Sequence, residues 1–289
     1  MKVVKKMEKI LLQHFVKIEN LKKLQGGNIN QIFEFTAQNK PYILRLNPNF
    51  NAFDKSEIIA KMLNKKIVAV RNFGEGSYMI TEKIHGNPVA SMTLTDKLRH
   101  SVMEKSLELH EISVDNSHGY GFIGDDGNGT YESWEDFVEK FFSREGIGDF
   151  WKNWYNLFDE GILERDVFNE LYGRLRIYAE FNSDHRYFVH GDLHGANILA
   201  KNDSVTGFID FDNGMYGDFL IDVATVDRVV PVDELKKFYA KSGMNVENFE
   251  ARYLGAKYFK GLDILRFYAK MKKVESYESL KKYLLALPE

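Results

Sequence analysis

The segment HGDLHGANIL, residues 190–199, contains two histidines four positions apart, one aspartate and one asparagine, with two glycines among them. Two histidines with this spacing bind zinc when a helix places them on one face. Gly191 and Gly195 interrupt the segment, however, and the preceding YFVHGD has the character of a strand, so a zinc site is disfavoured. The chain has no cysteine, which excludes disulfides, thiolate metal sites and thiol nucleophiles.

A loop that positions a phosphoryl transfer explains the segment better. Asp192 precedes Asn197 by five residues, and Asp210 follows thirteen residues later in GFIDFD. Phosphoryl transfer needs a carboxylate beside the attacking hydroxyl, and an amide oxygen and a second carboxylate that hold magnesium on the nucleotide phosphates. The kinase catalytic loop H-R-D-x-x-x-x-N, followed by the aspartate of D-F-G, has the same order.

The compound pattern resembles the aminoglycoside phosphotransferase family, which shares a bilobal fold with the protein kinases. It reads H-G-D-L-H-G-A-N, then I-D-F, then G-D-F-L-I-D-V-A at 217–224. A narrower similarity to hygromycin B phosphotransferases lies in HGYGFIGDDGNGTYESWEDF, MYGDFLIDVA and YFKGLDILRF. The resemblance implies that Asp192 is the catalytic base and that Asn197 and Asp210 bind Mg²⁺. It also implies that His190 braces the loop and that Asp222 supports it from a following helix, whereas His194 receives no special role.

Alternation of apolar and polar residues predicts the elements that position this loop. An amphipathic first helix is followed by five short antiparallel strands, with one helix after the third strand, ending near Ile84. Helices are then expected at 94–112, 132–142, 163–181 and from 218 onward, with short strands around 187–210. We therefore predict an α+β, protein-kinase-like fold with a nucleotide-binding lobe at 1–84 and a catalytic and substrate-binding lobe at 85–289.

The resemblance also implies the nucleotide-binding residues. The turn GGNIN offers Gly26, Gly27 and Asn28 to the phosphates, because backbone N–H groups approach phosphate closely only where side chains are absent. Arg45 stands where protein kinases have a lysine, and Glu57 is its expected ion-pair partner, with Asp54 as the alternative. The backbone of Glu82, Lys83 and Ile84 is expected to contact the base of the nucleotide. ATP is favoured as phosphate donor, with GTP left open.

GYGFIG at 119–124 matches G-x-G-x-x-G, but it lacks the strand and helix that a dinucleotide site requires, so we expect a loop.

Two acidic intervals point to a cationic substrate. Residues 119–139 contain six carboxylates and residues 202–227 contain six aspartates, with no lysine or arginine in the first interval or between 202 and 227. Carboxylates that line a cleft attract polycations such as aminoglycosides. The expected substrate-binding residues share an aromatic or acidic side chain in or near these stretches: Trp134, Asp136, Asp212, Tyr216 and Asp263. Trp134 is equally interpretable as a core side chain, and Asp263 as a helix carboxylate paired with Arg266.

Two other functions remain open at this point. The first is a metabolic kinase of the same fold, acting on choline, homoserine or a sugar; choline would need an aromatic cage and homoserine a basic group for its carboxylate. The second is a catalytically inactive nucleotide-binding protein, for which only Arg45 speaks. The net charge of −3 and the lack of a long apolar run predict no nucleic-acid or membrane partner and a cytoplasmic location. The sequence does not indicate an oligomeric state.

Overall fold

The computed structural model describes residues 2–24, 30–74 and 76–288. The chain divides into two compact units, residues 1–85 and residues 86–289. The division lies one residue beyond the boundary that the sequence predicts. No helix in the described ranges is both long and apolar enough to cross a membrane.

The first unit is a five-stranded antiparallel sheet with two helices. Its elements are, in chain order, α1 (Lys2–Leu11), β1 (Glu19–Lys23), β2 (Gln31–Ala37), β3 (Lys40–Asn47), α2 (Asp54–Met62), β4 (Ile67–Phe73) and β5 (Gly76–Glu82). The strand order is β1-β2-β3-β5-β4, so the inserted helix α2 precedes the edge strand β4. The five strands and the inserted helix predicted from the sequence are confirmed.

Period-2 alternation gives this sheet its buried face. Phe35 of β2 and Leu44 of β3 are fully buried, whereas their neighbours in the sequence are partly exposed. The segment after α1 closes over the buried face, since the Phe15 ring lies 5.4 Å from the Phe35 ring and 4.8 Å from the Tyr42 ring. Such aromatic contacts fix the helix on the sheet in addition to removing apolar surface from water.

The second unit is mainly helical and carries two small sheets. Its elements are, in chain order, β6 (Asn87–Pro88), α3 (Asp96–His110), β7 (Tyr120–Ile123), β8 (Gly129–Tyr131), α4 (Trp134–Phe141), α5 (Gly148–Trp151), α6 (Leu157–Glu160), α7 (Arg165–Ala179), β9 (Tyr187–Val189), β10 (Ile198–Lys201), β11 (Ser204–Phe208), β12 (Met215–Gly217), α8 (Leu220–Val226), α9 (Val232–Lys241), α10 (Phe249–Lys270) and α11 (Val274–Leu285). One sheet has the order β11-β10-β6 and the other the order β8-β7-β12-β9.

The expectation that GYGFIG forms a loop is wrong, because four of its six residues form the strand β7. This strand pairs with β8 on one side and with β12 on the other. Gly121 has φ +78°, and a Cβ atom there would lie 2.5 Å from the Phe137 ring. The glycine therefore serves the packing of α4 against the sheet, which a pattern of spacing alone does not reveal.

The 22-residue helix α10 runs through the core of the second unit and packs against α7, α8 and α11. It is buried nearly all round, which is typical of a central helix. Its charged residues are consequently paired inside the protein. Arg252 and Asp218, both without exposed surface, form two hydrogen bonds of 2.8 Å from Nε and a terminal nitrogen of the guanidinium.

We expect Arg252→Met to lower the free energy of unfolding by about 3–5 kcal/mol, because it leaves the Asp218 carboxylate buried without its cation. Denaturant-induced unfolding measures this change. The matched control is Lys236→Met, which removes the exposed ion pair with Glu250 and should cost less than about 1 kcal/mol. Equal losses in the two variants would show that the buried ion pair contributes no more to the free energy of unfolding than the exposed one.

Candidate active site

The segment 190–197 forms a loop between β9 and β10, within the second unit. Gly191 has φ +77°, and a Cβ atom there would lie 2.2 Å from the carbonyl oxygen of Asn213. Only glycine fits this close approach of two backbones. The glycine that distinguishes H-G-D from the protein-kinase H-R-D thus has a steric reason in this chain.

Asp222 of α8 holds the start of the loop. Its fully buried carboxylate accepts hydrogen bonds from the backbone N–H groups of His190 (2.8 Å) and Gly191 (2.9 Å). A third hydrogen bond comes from Nε2 of His110 on α3 at 3.0 Å. A buried carboxylate needs such donors to offset its lost hydration. These contacts join Asp222, on a helix that follows the loop in the sequence, to the first two residues of the loop.

Both ring nitrogens of His190 form hydrogen bonds within the protein. Its Nε2–H donates to the carbonyl of Ile209 at 2.9 Å, and its Nδ1 accepts from the backbone N–H of Asp192 at 3.3 Å. Since a carbonyl only accepts and an amide N–H only donates, the two bonds fix the tautomer with the proton on Nε2. The ring is fully buried and lies 4.3 Å from the Phe211 ring. Its ring therefore joins the backbone of Asp192 to that of Ile209.

Asn197 and Asp210 are brought together by the β10–β11 hairpin. Asn197 directly precedes β10, and Asp210 lies two residues after β11 ends. The backbone N–H of Ile209 donates to the carbonyl of Asn197 at 3.0 Å, which extends the ladder by one bond. Asp210 adopts the left-handed conformation with φ +66° and is exposed. The two oxygen-bearing side chains thus emerge at the same end of the hairpin.

Asn197 is connected to Asp192 as well. Its Nδ2 donates to the backbone carbonyl of Asp192 at 2.9 Å and lies 3.5 Å from the carboxylate oxygen Oδ2. With Nδ2 used in this way, Oδ1 is the side-chain atom with lone pairs for a cation. The loop and the adjoining end of the β10–β11 hairpin therefore carry Asp192, Asn197 and Asp210, the three residues that the sequence selects for chemistry.

The Asp192 carboxylate is strongly acidic. Burial raises its pKa, but the interactions with His194 and with the positive charge of Lys260 outweigh burial and lower the pKa to about 2. Nε2 of His194 lies 3.6 Å from Oδ2 of Asp192. This contact is the main cause of a raised pKa at His194, against which burial acts. Asp192 is therefore fully ionised at neutral pH.

The donors present fit a magnesium ion that is shared with phosphate. Mg²⁺ prefers oxygen ligands in octahedral geometry and usually takes one or two protein ligands, with water and phosphate oxygens completing the shell. Asn197 and Asp210 offer one amide oxygen and one carboxylate. Within the described ranges, here as elsewhere, no group of three or more histidine, aspartate or glutamate side chains could hold a metal ion by itself.

The expected nucleotide-binding residues of the described chain lie in the first unit. Arg45 is on β3, opposite Met79 of β5, and Glu57 lies in the first turn of α2, where it pairs with Lys61 at 3.3 Å. Glu82 ends β5 and lies 3.5 Å from Lys40, whereas Lys83 forms a 2.8 Å ion pair with Glu34. Ile84 follows the strand and is partly buried. Gly26, Gly27 and Asn28 lie outside the residues that the structure describes.

Two of the expected substrate-binding residues are core side chains, which corrects the prediction. Trp134 is 1% exposed, and its ring packs against those of Phe137 and Phe259 at 5.4 and 5.1 Å. Tyr216 is also 1% exposed; its hydroxyl donates to the carbonyl of Gly127, and the Arg186 guanidinium lies 4.4 Å from its ring. Neither ring presents a face to a ligand.

The three expected acidic residues differ in their surroundings. Asp263 pairs with Arg266 at 3.1 Å, so its alternative interpretation as a paired helix carboxylate agrees with the structure. Asp136 is partly buried in the first turn of α4, where its N–H is capped by Ser133 and its charge favours the helix N-terminus. Asp212 is exposed in a short 3₁₀ helix two residues after Asp210.

Sequence reasoning missed three residues around the loop: His110, His194 and Lys260. His110 reaches Asp222 from 112 positions away, and its Nδ1 lies 3.0 Å from the Tyr239 hydroxyl. Lys260 is 5% exposed and donates from Nζ to the carbonyl of Gly191 at 2.6 Å. In the sequence, Lys260 lies three residues from both Lys257 and Asp263, and nothing there says which loop it meets.

Comparison with known proteins agrees with this geometry. Residues 139–244 match the phosphotransferase enzyme family. A hygromycin-B 4-O-kinase of Escherichia coli is 24% identical over 229 residues, which are 76% of this chain. The aligned part spans 65% of the length of that curated relative.

Solved structures extend the likeness over nearly the whole chain. The aminoglycoside phosphotransferase APH(4)-Ia superposes with a TM-score of 0.81 at 20% identity, with 98% of this chain and 97% of that chain covered. The chain has the aminoglycoside phosphotransferase fold. The predicted resemblance to that family is confirmed. A thermostable mutant of APH(4)-Ia was solved in a ternary complex with AMP-PNP and hygromycin B, and it superposes with a TM-score of 0.80 at 20% identity over 96% of each chain. A spectinomycin phosphotransferase, APH(9)-Ia, superposes more loosely, with a TM-score of 0.64 at 15% identity over 99% of this chain and 94% of that one.

Burial of Trp134 makes a prediction about stability. Trp134→Ala should lower the free energy of unfolding by about 3–5 kcal/mol, because it opens a cavity among aromatic rings. Trp134→Phe should cost clearly less, since Nε1 of Trp134 has no hydrogen-bond partner among the described residues and its removal loses no bond. Denaturant-induced unfolding distinguishes the two. A loss below about 1 kcal/mol in Trp134→Ala would instead indicate an exposed ring.

The contact between Asp192 and His194 makes a prediction about pH. The raised pKa of His194 means that the pair stabilises the fold below the ordinary histidine value of 6.5 and loses this contribution as the pH rises through the folded pKa. The lowered pKa of Asp192 means that the contribution is present above 3.8 and is lost as the pH falls towards about 2. In the magnesium-free protein, Asp192→Asn should therefore lower the pKa of His194, measured from its imidazole NMR shifts. An unchanged titration would contradict the pairing.

Proposed function

We propose that this protein transfers the γ-phosphate of a nucleoside triphosphate to a hydroxyl group of an aminoglycoside, with Asp192 as the base. The observation that carries the proposal is the assembly of Asp192, Asn197 and Asp210 on one loop and one hairpin end. The family match and the fold support the same reaction class. The ternary complex of APH(4)-Ia contains AMP-PNP and hygromycin B together. The proposal is that the present chain likewise binds a nucleotide and an aminoglycoside at the same time.

The low pKa of Asp192 suits the way in which kinases use a carboxylate. In a loose phosphoryl-transfer transition state the attacking hydroxyl keeps its proton until late, so the carboxylate mainly orients the hydroxyl and then accepts the proton. A carboxylate with a pKa of about 2 is always ionised and ready to accept a hydrogen bond from the hydroxyl. The side chain of Asp192 is 30% exposed, which leaves it accessible to an acceptor.

Asn197 and Asp210 are the proposed magnesium ligands. When bound, the ion would neutralise the negative charge of the phosphates during transfer. The protein's own part is to hold the two oxygen donors at the end of the β10–β11 hairpin. Asn197 is fixed by its bond to the Asp192 carbonyl, so the metal ligand and the base share one rigid loop.

The proposed nucleotide contacts come from the first unit. Arg45 is the proposed phosphate-binding cation, and arginine suits the task because it is always charged and can grip phosphate with two N–H groups. Glu57 is its proposed ion-pair partner. The backbone of Glu82, Lys83 and Ile84 is proposed to contact the purine base of the nucleotide. The proposal extends to Gly26, Gly27 and Asn28 as the phosphate-covering turn. ATP is the favoured donor, because APH(4)-Ia was solved with an ATP analogue.

Fewer acidic residues support a cationic acceptor than their number in the sequence suggests, because several are already paired inside the protein. Of the six aspartates at 202–227, Asp218 is paired with Arg252, Asp222 is committed to the loop, and Asp227 is paired with Lys257 at 2.8 Å. Asp212 remains exposed near Asp210 and is the best of the proposed substrate contacts. Asp136 and Asp263, whose carboxylates are partly buried, also remain proposed contacts of the substrate. The proposed hygromycin-like acceptor therefore rests mainly on the curated relative and the APH(4)-Ia structures.

Two alternatives are less well supported. A choline kinase would need exposed aromatic rings around a quaternary cation, and the two rings expected on the substrate side, Trp134 and Tyr216, are buried. An inactive nucleotide-binding protein would have no need for an ionised Asp192 held beside Asn197. Neither alternative explains the order of contacts along the loop as directly as phosphoryl transfer does.

The deciding experiment measures magnesium-dependent turnover of ATP and GTP with hygromycin B, spectinomycin, kanamycin, choline and homoserine. Turnover with an aminoglycoside supports the proposal and identifies the acceptor. Turnover with choline or homoserine alone would keep the fold and replace the acceptor class. Nucleotide binding without turnover on any of these acceptors would favour the inactive binder.

We expect Asp192→Asn to lower kcat by about a hundredfold to ten-thousandfold while nucleotide binding persists, because the amide cannot accept the hydroxyl proton. Asp210→Ala should instead weaken magnesium-dependent nucleotide binding. Steady-state kinetics and isothermal titration with the nucleotide separate the two effects.

The matched control is Asp203→Asn. Asp203 lies in the turn of the same β10–β11 hairpin, at the end opposite Asn197 and Asp210. Its substitution should leave kcat unchanged. Full activity in Asp192→Asn would overturn the assigned base.

A further inference from the structure

The loop that carries Asp192 has a buried lysine behind it. Lys260 of α10 is 5% exposed, and its Nζ donates to the carbonyl oxygen of Gly191 at 2.6 Å. Lysine is almost never fully buried unless it is paired. The carboxylate that the structure places nearest on the same helix, Asp263, is 3.8 Å away, farther than the loop carbonyl. The ammonium group is therefore committed first to the backbone of the loop.

Gly191 is held between two opposite charges. Its N–H donates to the buried carboxylate of Asp222 at 2.9 Å, and its carbonyl accepts from Lys260 at 2.6 Å. These groups belong to the two consecutive peptide units that lead into Asp192. Their partners come from different helices, α8 and α10, so neither helix alone fixes both peptide orientations.

A clamp at this position has a physical reason. Gly191 must be glycine because of the close approach to Asn213, and glycine has the largest conformational freedom of any residue. Asp192, the proposed base, thus directly follows a residue whose backbone has no side chain to restrict it. Hydrogen bonds to charged groups are shorter and roughly twice as strong as neutral ones, so a lysine and an aspartate restrict this point effectively.

We propose that Lys260 is a positioning residue for phosphoryl transfer, which fixes the Gly191 carbonyl and so aims the Asp192 carboxylate at the acceptor hydroxyl. The inference rests on the proposed function above, since it assigns Lys260 a role in that reaction. A small misplacement of a catalytic group slows the chemical step strongly, because near-attack geometry contributes much of the rate.

The same helix provides a matched control. Lys257 is also buried, at 8% exposure, and lies one turn before Lys260. Its Nζ pairs with Asp227 at 2.8 Å and donates to the carbonyl of Ala224 at 3.1 Å, both at the end of α8. Lys257 touches no residue of the loop 190–197 among its hydrogen-bond partners. Replacing it removes a buried cation from α10 without removing the clamp.

The experiment compares Lys260→Met, Lys260→Arg and Lys257→Met in the full chain, with kcat, KM, thermal stability and backbone amide hydrogen exchange as readouts. Lys260→Met should lower kcat by about tenfold to a hundredfold, the range typical of residues that orient an active-site group. KM for nucleotide and acceptor should change little, and Lys260→Arg should restore part of kcat. Exchange at 190–197 should become about tenfold faster in Lys260→Met only. Lys257→Met should lose stability and keep kcat.

Several outcomes would overturn the inference. These are an unchanged kcat in Lys260→Met, a loss of kcat that parallels the loss of stability equally in Lys257→Met, or unchanged exchange at 190–197. If Lys260→Met fails to fold, Lys260→Gln, which keeps an N–H donor without the charge, carries the same comparison. Slower turnover with faster loop exchange supports the clamp, and wild-type values overturn it.

The two proposals fail in distinguishable ways. If the unaltered protein phosphorylates none of the acceptors, the proposed function fails on that result alone. Hydrogen exchange at 190–197 still decides whether Lys260 clamps the loop, because it needs no substrate.

Discussion

The buried carboxylate of Asp222 is the interaction on which the arrangement of the loop depends. It accepts three hydrogen bonds, two from the backbone of the loop and one from His110. A carboxylate without exposed surface is tolerated only if donors replace its hydration, so the carboxylate and the loop backbone stabilise each other. Loss of either partner leaves a buried polar group unsatisfied.

The remaining contacts of the loop radiate from this point. Thr225, on the same helix as Asp222, donates to the carbonyl of Leu193 at 3.1 Å, and the backbone of Ala90 donates to the carbonyl of Gly195 at 2.9 Å. Leu193 is fully buried and anchors the middle of the loop in the core. The loop thus has a fixed backbone between two strands, while Asp192 and His194 keep partly exposed side chains.

The buried cationic side chains of this protein are paired inside the second unit. Arg252, Lys257, Lys260 and Arg266 all lie on α10 and are all buried, and each has an aspartate or a backbone carbonyl as partner. The Arg266 guanidinium in addition lies 4.3–4.7 Å from the rings of Phe141, Phe142, Trp151 and Trp154. A count of acidic residues along the sequence therefore overstates the negative charge at the protein surface. Several of those carboxylates are neutralised within the helical unit.

The sequence by itself determined the fold class, the five-stranded sheet and the residues of the loop. Period-2 and helical patterns are local properties, and the order Asp192, Asn197 and Asp210 lies within one short stretch, so neither needs distant contacts to be recognised. Only the tertiary structure decided that Trp134 and Tyr216 are core side chains, that GYGFIG contains a strand, and that His110 and Lys260 support the loop. These facts depend on partners far apart in the chain, as His110 and Asp222 or Gly191 and Lys260 are. Burial and pairing arise where helices and sheets pack together, and the spacing of residues along one segment carries no information about that.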